Sequence, residues 1–258
     1  MGNVRNKAQL IQLLSNCTSE SNVRLIGEAN CTFGHEEADV NTISYALLMI
    51  KEHGKKYVQI VSDDTNVFVL LLFFYWKLRL SARISMKKFT GSIIDINATA
   101  LKLGDKCFQL LPLHAATGCD SVSYAFGKGK AAAVKLLLKS DDLGLNILGE
   151  TTTPGPDIVQ IGSKLFAELH VYGARAARAP TTINKLCYKL FSKSQHVPNI
   201  RSLPPTDESL DLHLKRAHLQ AMIWKAGPPD INICDFGWEM VDNVPSPIRG
   251  NGIVGQRN

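Results

Sequence analysis

Carboxylates in three separate clusters are the residues of this chain best suited to chemistry. The clusters are Glu36-Glu37-Ala38-Asp39, then Asp63-Asp64-Thr65-Asn66, and finally Asp120 in a glycine-containing turn. Carboxylates that meet at one point bind hard divalent cations, and a pair of such cations can cleave a phosphodiester. If the three clusters converge, the sequence predicts a metal-dependent phosphodiesterase site.

A basic segment with two glycines follows Asp120. It reads Gly127-Lys128-Gly129-Lys130, and a helical pattern carrying Lys135 continues to residue 139. Glycines let backbone N–H groups come close to a phosphate, and a helix N-terminus adds a partial positive charge. Lysines add an attraction that weakens with salt. The segment therefore predicts contact with a nucleic-acid backbone, although its length and spacing do not fit a nucleotide-binding P-loop.

Each acidic cluster also has a purely structural interpretation. Acidic residues are common in the first turn of a helix, where the dipole favours them, and this accounts for the cluster that ends at Asp39. Aspartate is a favoured helix N-cap, which accounts for one residue of Asp63 and Asp64. Asp120 fits an ordinary turn. The functional interpretation depends on the three clusters together rather than on any one of them.

The elements that must position these residues alternate between strand and helix. Strands are expected at 22–29, 57–62 and 83–88, and helices at 36–53, 67–78, 94–103, 106–117 and 131–139. Such alternation is typical of an α/β fold with a parallel sheet and helices on both faces. Ligands bind these sheets at the carboxyl ends of the strands, where Asp63 and Asp64 are expected to lie.

Composition limits the class of protein. The chain has 258 residues, 45% of them apolar, so it can bury a core and is not a disordered protein. A net charge of +6 agrees with a polyanionic partner without requiring one. Six scattered cysteines form no zinc-knuckle pair or disulfide framework, and no signal-peptide core is present. The longest apolar run is about half a bilayer span. We expect an intracellular protein, nuclear or cytoplasmic, neither secreted nor transmembrane.

In their order along the chain, these motifs resemble the flap-endonuclease/PIN-like nuclease superfamily. That family runs Glu-Ala-Glu, then Asp-x-Asp after a strand, then Gly-Ser-Asp-Tyr, then Gly-Ile-Gly-x-Lys-x-Ala. The counterparts here are Glu37-x-Asp39, Asp64-x-Asn66, Gly118-Cys119-Asp120 and the segment 127–135. The similarity covers about residues 22–139. It is closest to an animal branch whose members often accompany mobile elements.

The resemblance implies a fold, a metal centre and a partner. The implied fold is a PIN-like, three-layer α/β domain with a parallel sheet. The implied catalytic and metal-binding residues are Glu37, Asp39, Asp64 and Asp120, which would hold two Mg²⁺ or Mn²⁺ ions, with Glu36, Asp63 and Asn66 as supplementary groups. The implied nucleic-acid-binding residues are Gly127, Lys128, Gly129, Lys130 and Lys135, in the element that grips a DNA or RNA backbone.

Two departures from the family weaken the implied metal site. Asn66 stands where the family has a second Asp, which removes one negative charge while still offering an oxygen. The family also begins with a strand that carries further metal-binding Asp residues, whereas no Asp precedes Asp39 here. We therefore expect an N-terminally incomplete member of the family, lacking the usual first strand and holding an incomplete two-ion site.

Three functions remain open from the sequence: an active metal-dependent nuclease, a non-catalytic nuclease-like module that binds nucleic acid or protein, and a scaffold derived from a mobile element. The sequence favours a nucleic-acid-binding protein with weakened or absent phosphodiesterase activity. The expected organisation is an α/β domain at 1–143, a linker or loop at 144–160, a helical C-terminal extension at 161–226 and a poorly ordered Pro/Gly-rich tail at 227–258. Tyr75, Trp76, Trp224 and Trp238 are candidates for stacking on bases. For Tyr75 and Trp76, which fall in a strongly apolar helix, packing in the core is the favoured interpretation.

Overall fold

The structure is a computed structural model that describes residues 38–125, 127–171, 182–193, 199–226 and 231–249. Its helices are α1 Ala38–Lys51, α2 Thr65–Lys77, α3 Ile96–Leu103, α4 Lys106–Ala116, α5 Lys130–Lys139, α6 Gly155–Val171, α7 Ile183–Lys193 and α8 Asp207–Ala226. Its strands are β1 Tyr57–Val61, β2 Arg83–Lys87, β3 Ile93–Asp95, β4 Trp238–Val241 and β5 Val244–Pro247. The strand expected at 22–29 lies outside the described residues.

The main sheet is mixed, so the expectation of a parallel sheet is wrong for one of its pairings. Strands β1 and β2 pair in parallel, with Tyr57 opposite Arg83. Strands β2 and β3 pair antiparallel, with Ser85 opposite Asp95. Five residues join β2 to β3, and a connection this short allows only a hairpin. The fold is α/β with a small three-stranded sheet, and the described residues do not show a PIN-like three-layer arrangement.

Strand β1 lies at one edge of this sheet within the described ranges. Its side chains alternate, because Tyr57 and Val61 are exposed while Ile60 is buried. The three central residues of β2 are all buried. The β-branched run at 57–62 correctly predicted a strand. The run is also typical of a buried parallel strand, and that expectation is wrong for β1, because β-propensity reports fit to a pleated surface rather than depth.

One hydrophobic core joins the α/β part of the chain to the later helices. Helix α4 packs against α2 on one side and α8 on the other, and α6 packs on α8. Leu70, Leu111 and Leu214 are fully buried in this common core. At the crossing of α6 and α8 a side chain at Gly162 would overlap Leu214. The helices after residue 155 therefore form part of the same core rather than an appended extension.

Regular structure also occurs where a loop and a poorly ordered tail were expected. The short 3₁₀ turn Leu145–Ile147 and the start of α6 at Gly155 both fall within the segment 144–160. Strands β4 and β5 form a hairpin whose turn residues Asp242 and Asn243 have positive φ values of 51° and 60°. Positive φ at both central residues suits a hairpin turn, and Asp and Asn tolerate it. None of the helices within the described ranges has the length and apolar character that a bilayer crossing needs.

Candidate functional site

Four elements bring polar side chains together near the carboxyl end of β1. Asp39 lies in the first turn of α1. Asp64 is the N-cap of α2, where its Oδ1 accepts a hydrogen bond from the backbone N–H of Asn66 at 2.8 Å. His114 lies in the last turn of α4, and Lys130 is the first residue of α5. Residues from distant parts of the sequence thus meet because four helix ends converge here.

A chain of hydrogen bonds, the Lys130–Asp39 chain, connects these side chains. The Nζ atom of Lys130 lies 2.8 Å from Nδ1 of His114. Nε2 of His114 lies 2.7 Å from Oδ1 of Asn66, and Nδ2 of Asn66 donates to Oδ2 of Asp39 at 3.1 Å. Because an amide oxygen can only accept, the contact with Oδ1 of Asn66 assigns the ring proton to Nε2, and Nδ1 then accepts from the Lys130 ammonium. With this tautomer the hydrogen bonds run from Lys130 through His114 and Asn66 to Asp39, while the ammonium also lies 3.0 Å from Nε2.

Burial sets the protonation states of His114 and Lys130. It lowers the pKa of His114 to about 3, helped by the adjacent ammonium of Lys130, so the ring is neutral near pH 7. Burial also lowers the pKa of Lys130 to about 8, while Cys119, Asp64 and Asp120 act in the opposite direction. Lys130 is therefore mainly protonated at neutral pH. The two carboxylates are close enough to stabilise its charge.

The remaining predicted acidic residues occupy different positions. Asp120 is exposed in the turn after α4 and contributes to the electrostatic environment of Lys130. Asp63 is exposed, and its Oδ1 accepts from the backbone N–H of Phe89 at 3.3 Å, which ties it to the β2–β3 turn. Glu36 and Glu37 lie outside the described residues. The structure thus brings Asp39, Asp64 and Asp120 to one region and turns Asp63 toward the neighbouring hairpin.

The basic segment divides between surface and interior. Gly127 is exposed with a φ of 71°, and Gly129 caps the N-terminus of α5. Lys128 is half-buried and Lys135 is exposed. Lys130 was expected to contact a phosphate backbone, but its ammonium points inward and also donates to the carbonyl of His114 at 3.2 Å. The lysines that remain for an external anion are Lys128 and Lys135.

A two-ion metal centre is not recognisable among the described residues. Within the described ranges, no three His, Cys, Asp or Glu side chains lie together in a way that could hold a metal ion. One oxygen of Asp39 accepts from the Asn66 amide, and one oxygen of Asp64 caps α2. The Lys130 ammonium would repel a cation placed between them. The Mg²⁺ or Mn²⁺ site remains a prediction, and one of its expected ligands, Glu37, lies outside the described residues.

Sequence reasoning missed His114 as a member of the site. The sequence gives one indication of it, because His114 is a titratable residue within the apolar run Leu110–Ala116 of α4. Polar groups that face a core are expected to have a hydrogen-bonding partner there. His114 and Lys130 also line one wall of an apolar cavity of about 260 Å³, whose other walls include Phe68, Leu113 and Val134. This apolar surrounding explains why both pKa values fall.

Comparison with protein-family models, with curated proteins and with solved structures finds no match to this chain.

Proposed function

We propose that this protein binds nucleic acid through a site of the PIN/flap-nuclease type whose phosphodiesterase activity is weak or absent. The Lys130–Asp39 chain supports the weak or absent activity, whereas the basic turn at the start of α5 supports the binding. The Lys130–Asp39 chain places an ammonium of the protein itself among carboxylates that a nuclease would use to hold metal ions. Asn66 acts in the same direction, since its amide donates to Asp39, which a carboxylate at this position could not do.

Weak hydrolysis follows from the way the carboxylates are occupied. Two-metal cleavage needs oxygens that are free to coordinate cations on both sides of the scissile phosphate. Here Asp39 and Asp64 each have one oxygen in a hydrogen bond, at 3.1 Å and 2.8 Å. A cation entering the site would also have to displace Lys130 or approach it closely. Each of these requirements lowers cation affinity.

Backbone binding is supported by the start of α5. Gly129 makes no side-chain cap hydrogen bond in the described structure, and a phosphate oxygen could take the place of a cap at the start of this helix. Gly127 adopts a left-handed conformation, and no atom lies within 4 Å of the position that its Cβ would take. Lys128 and Lys135 supply positive charge beside this turn. A phosphate can therefore approach the helix N-terminus closely.

The binding test uses the whole chain and fluorescein-labelled single-stranded DNA and RNA, followed by fluorescence anisotropy from 50 to 300 mM salt. We expect binding that weakens with salt and is unchanged by EDTA. Replacing Lys128 and Lys135 by Ala is expected to reduce the slope of log K against log salt by about 1.5. The matched control replaces Lys185 and Lys189 on α7, removing the same charge elsewhere, and is expected to change the slope less.

A cleavage assay separates the remaining functions. Flap and single-stranded substrates are incubated with Mn²⁺ or with EDTA. Cleavage that requires Mn²⁺ and is lost in Asp64→Ala and Asp120→Ala would contradict the proposal in favour of an active nuclease. Absence of both binding and cleavage at low salt would contradict it in favour of a scaffold. Salt-sensitive binding without appreciable cleavage is the result we expect.

A further inference from the structure

Two aromatic side chains project into solvent close to the carboxylates of the site. Phe89 is 77% exposed and Tyr124 is 78% exposed, the highest values for aromatic residues in the described ranges. Neither ring is used in the core or in the Lys130–Asp39 chain. Two of the stacking candidates from the sequence, Tyr75 and Trp224, are instead buried at 9% and 3% exposure. The accessible aromatic rings near the site are therefore different from those that the sequence suggested.

Phe89 lies at the carboxyl ends of β1 and β2. Its backbone N–H donates to Asp63 at 3.3 Å, directly beside Asp64. The turn that carries it is closed by Lys88 and Ser92, whose backbone N–H and carbonyl are 2.8 Å apart. The backbone of this turn is thus hydrogen-bonded on both sides of Phe89, while the ring remains in solvent. A fixed backbone reduces the entropy that the ring would lose on binding a partner.

Tyr124 lies between Asp120 and Lys128 in the loop from α4 to α5. Its backbone packs against Gly118, where a Cβ would lie 2.7 Å from the Cβ of Tyr124. The preceding residue, Ser123, is hydrogen-bonded through Oγ to Nδ1 of the buried His213 at 3.1 Å. The loop is therefore held against α4 and α8. Its position leaves the Tyr124 ring free beside the basic turn.

The charges around the two rings favour different positions for the phosphates and the bases of a bound nucleic-acid strand. Asp63, Asp64 and Asp120 repel phosphates at the carboxylate edge, whereas Lys128 and Lys135 attract them at the start of α5. Lys87 and Lys88 add positive charge directly before Phe89. Bases are uncharged and can cover the carboxylate edge. Exposed aromatic faces stack on unpaired bases with little regard to sequence, whereas duplex bases are already stacked on each other.

We propose that Phe89 and Tyr124 are stacking platforms for unpaired bases, so that the protein prefers single-stranded over duplex nucleic acid. The strand would run with its phosphates along the basic segment 127–135 and its bases over the carboxylate edge. This inference rests on the proposed nucleic-acid-binding function and adds the class of ligand and two specificity residues. The two rings act in base contact and not in phosphate contact.

The test compares three probes of equal length: a single-stranded oligothymidine, the same backbone without bases, and a hairpin duplex. Tyr124→Ala and Phe89→Ala are each expected to weaken binding of the oligothymidine by roughly 5- to 150-fold. Their binding to the abasic probe and to the duplex is expected to stay within twofold. Tyr124→Trp retains a ring and is expected to keep the wild-type affinity. The matched control is Tyr188→Ala, because this tyrosine is 74% exposed on α7.

The outcomes distinguish this inference from the function on which it rests. If both alanine variants bind the oligothymidine as the wild type does, or if Tyr188→Ala weakens binding equally, the stacking role is overturned while salt-sensitive binding still supports the proposed function. If the wild type binds the abasic probe as tightly as the oligothymidine, base contact is also excluded. Failure of the wild type to bind any of the three probes overturns both proposals.

Discussion

Replacing Asn66 by Asp tests the Lys130–Asp39 chain directly, because the change only exchanges the Nδ2 amide group for a negatively charged carboxylate oxygen. The Asn66 side chain accepts from His114 through Oδ1 and donates to Asp39 through Nδ2. An Asp in its place keeps the first hydrogen bond and loses the second. It also puts a second carboxylate about 3 Å from the first, where the donated hydrogen bond was.

The expected cost can be worked from these contacts. A hydrogen bond to a charged group contributes about 1.5–3 kcal/mol, and repulsion between the two carboxylates adds to its loss. A stronger hydrogen bond from His114 to the new carboxylate, and its attraction to Lys130, offset part of this cost. Both side chains are half-buried, so solvent screens part of this repulsion. We expect Asn66→Asp to lower the free energy of unfolding by about 3 kcal/mol at pH 8. For a chain of this size, that is a fall in Tm of roughly 6–12 °C.

The dependence on pH and on metal makes the prediction specific. Two adjacent carboxylates bind one proton more tightly in the folded state than in the unfolded state, so the deficit of the variant relative to wild type shrinks as the pH falls from 8 toward 5. Millimolar Mn²⁺ can replace that proton, so it is expected to raise the Tm of the variant and not that of the wild type. The assay is thermal unfolding followed by circular dichroism at each pH, with and without Mn²⁺.

Asn199→Asp is the matched control for this experiment. Asn199 is exposed, and its Oδ1 accepts from the backbone N–H of Arg201 at 3.0 Å, a bond that an aspartate keeps. Its expected effect is within about 0.5 kcal/mol. An Asn66→Asp protein that unfolds within 1 °C of wild type at pH 8 would show that Asn66 does not bridge His114 and Asp39.

Three further predictions concern the rest of the fold. Burial lowers the pKa of His218 to about 4. Below pH 6.5 the unfolded chain therefore binds more protons than the folded chain, so the free energy of unfolding falls between pH 6.5 and 4. His218→Gln should reduce that fall, as measured by urea titrations at each pH. Gly118→Ala should lower the free energy of unfolding by about 2 kcal/mol or more, because φ is 109° and the backbone of the loop would clash with the new Cβ. Gly54→Ala, where the space is open, is the control and should lower it by about 1 kcal/mol in the same titration. Gly162→Ala should cost about 1–3 kcal/mol by overlap with Leu214, and a thermal midpoint equal to wild type would contradict the close packing of α6 on α8.

Local patterns in the sequence predicted the elements that carry the carboxylates. The apolar face of α1, the β-branched run of β1 and the Asp64 cap of α2 all act over a few residues, so the corresponding elements appear close to the expected positions. The β4–β5 hairpin also had a local signal, the Asp242-Asn243 pair, which the surrounding prolines and glycines obscured. Strand β3 is only three residues long, and pairing with β2 decides its conformation against the helical pattern that follows.

The centre of the site could not be predicted in the same way. Alternation of strands and helices is enough to suggest that Asp39, Asp64 and Asn66 lie near one another. The contact of His114 with Lys130 depends instead on how α4 packs against α5, which is set by apolar contacts spread along both helices. The burial that lowers both pKa values has the same origin. Sequence patterns do not specify side-chain direction at such a crossing, and so Lys130 was assigned to the surface.

The common core of the two halves has a practical consequence for anyone who divides this protein. Thr151 and Thr152 are exposed just before α6, so the peptide bond between them is open to a protease or to a designed break. The amino-terminal fragment would display bare apolar surface on α4, and the carboxy-terminal fragment would display the matching surface on α8. Because each fragment covers the apolar surface of the other, we expect the two pieces to associate when they are expressed together. Reassembly of such fragments could serve as a reporter.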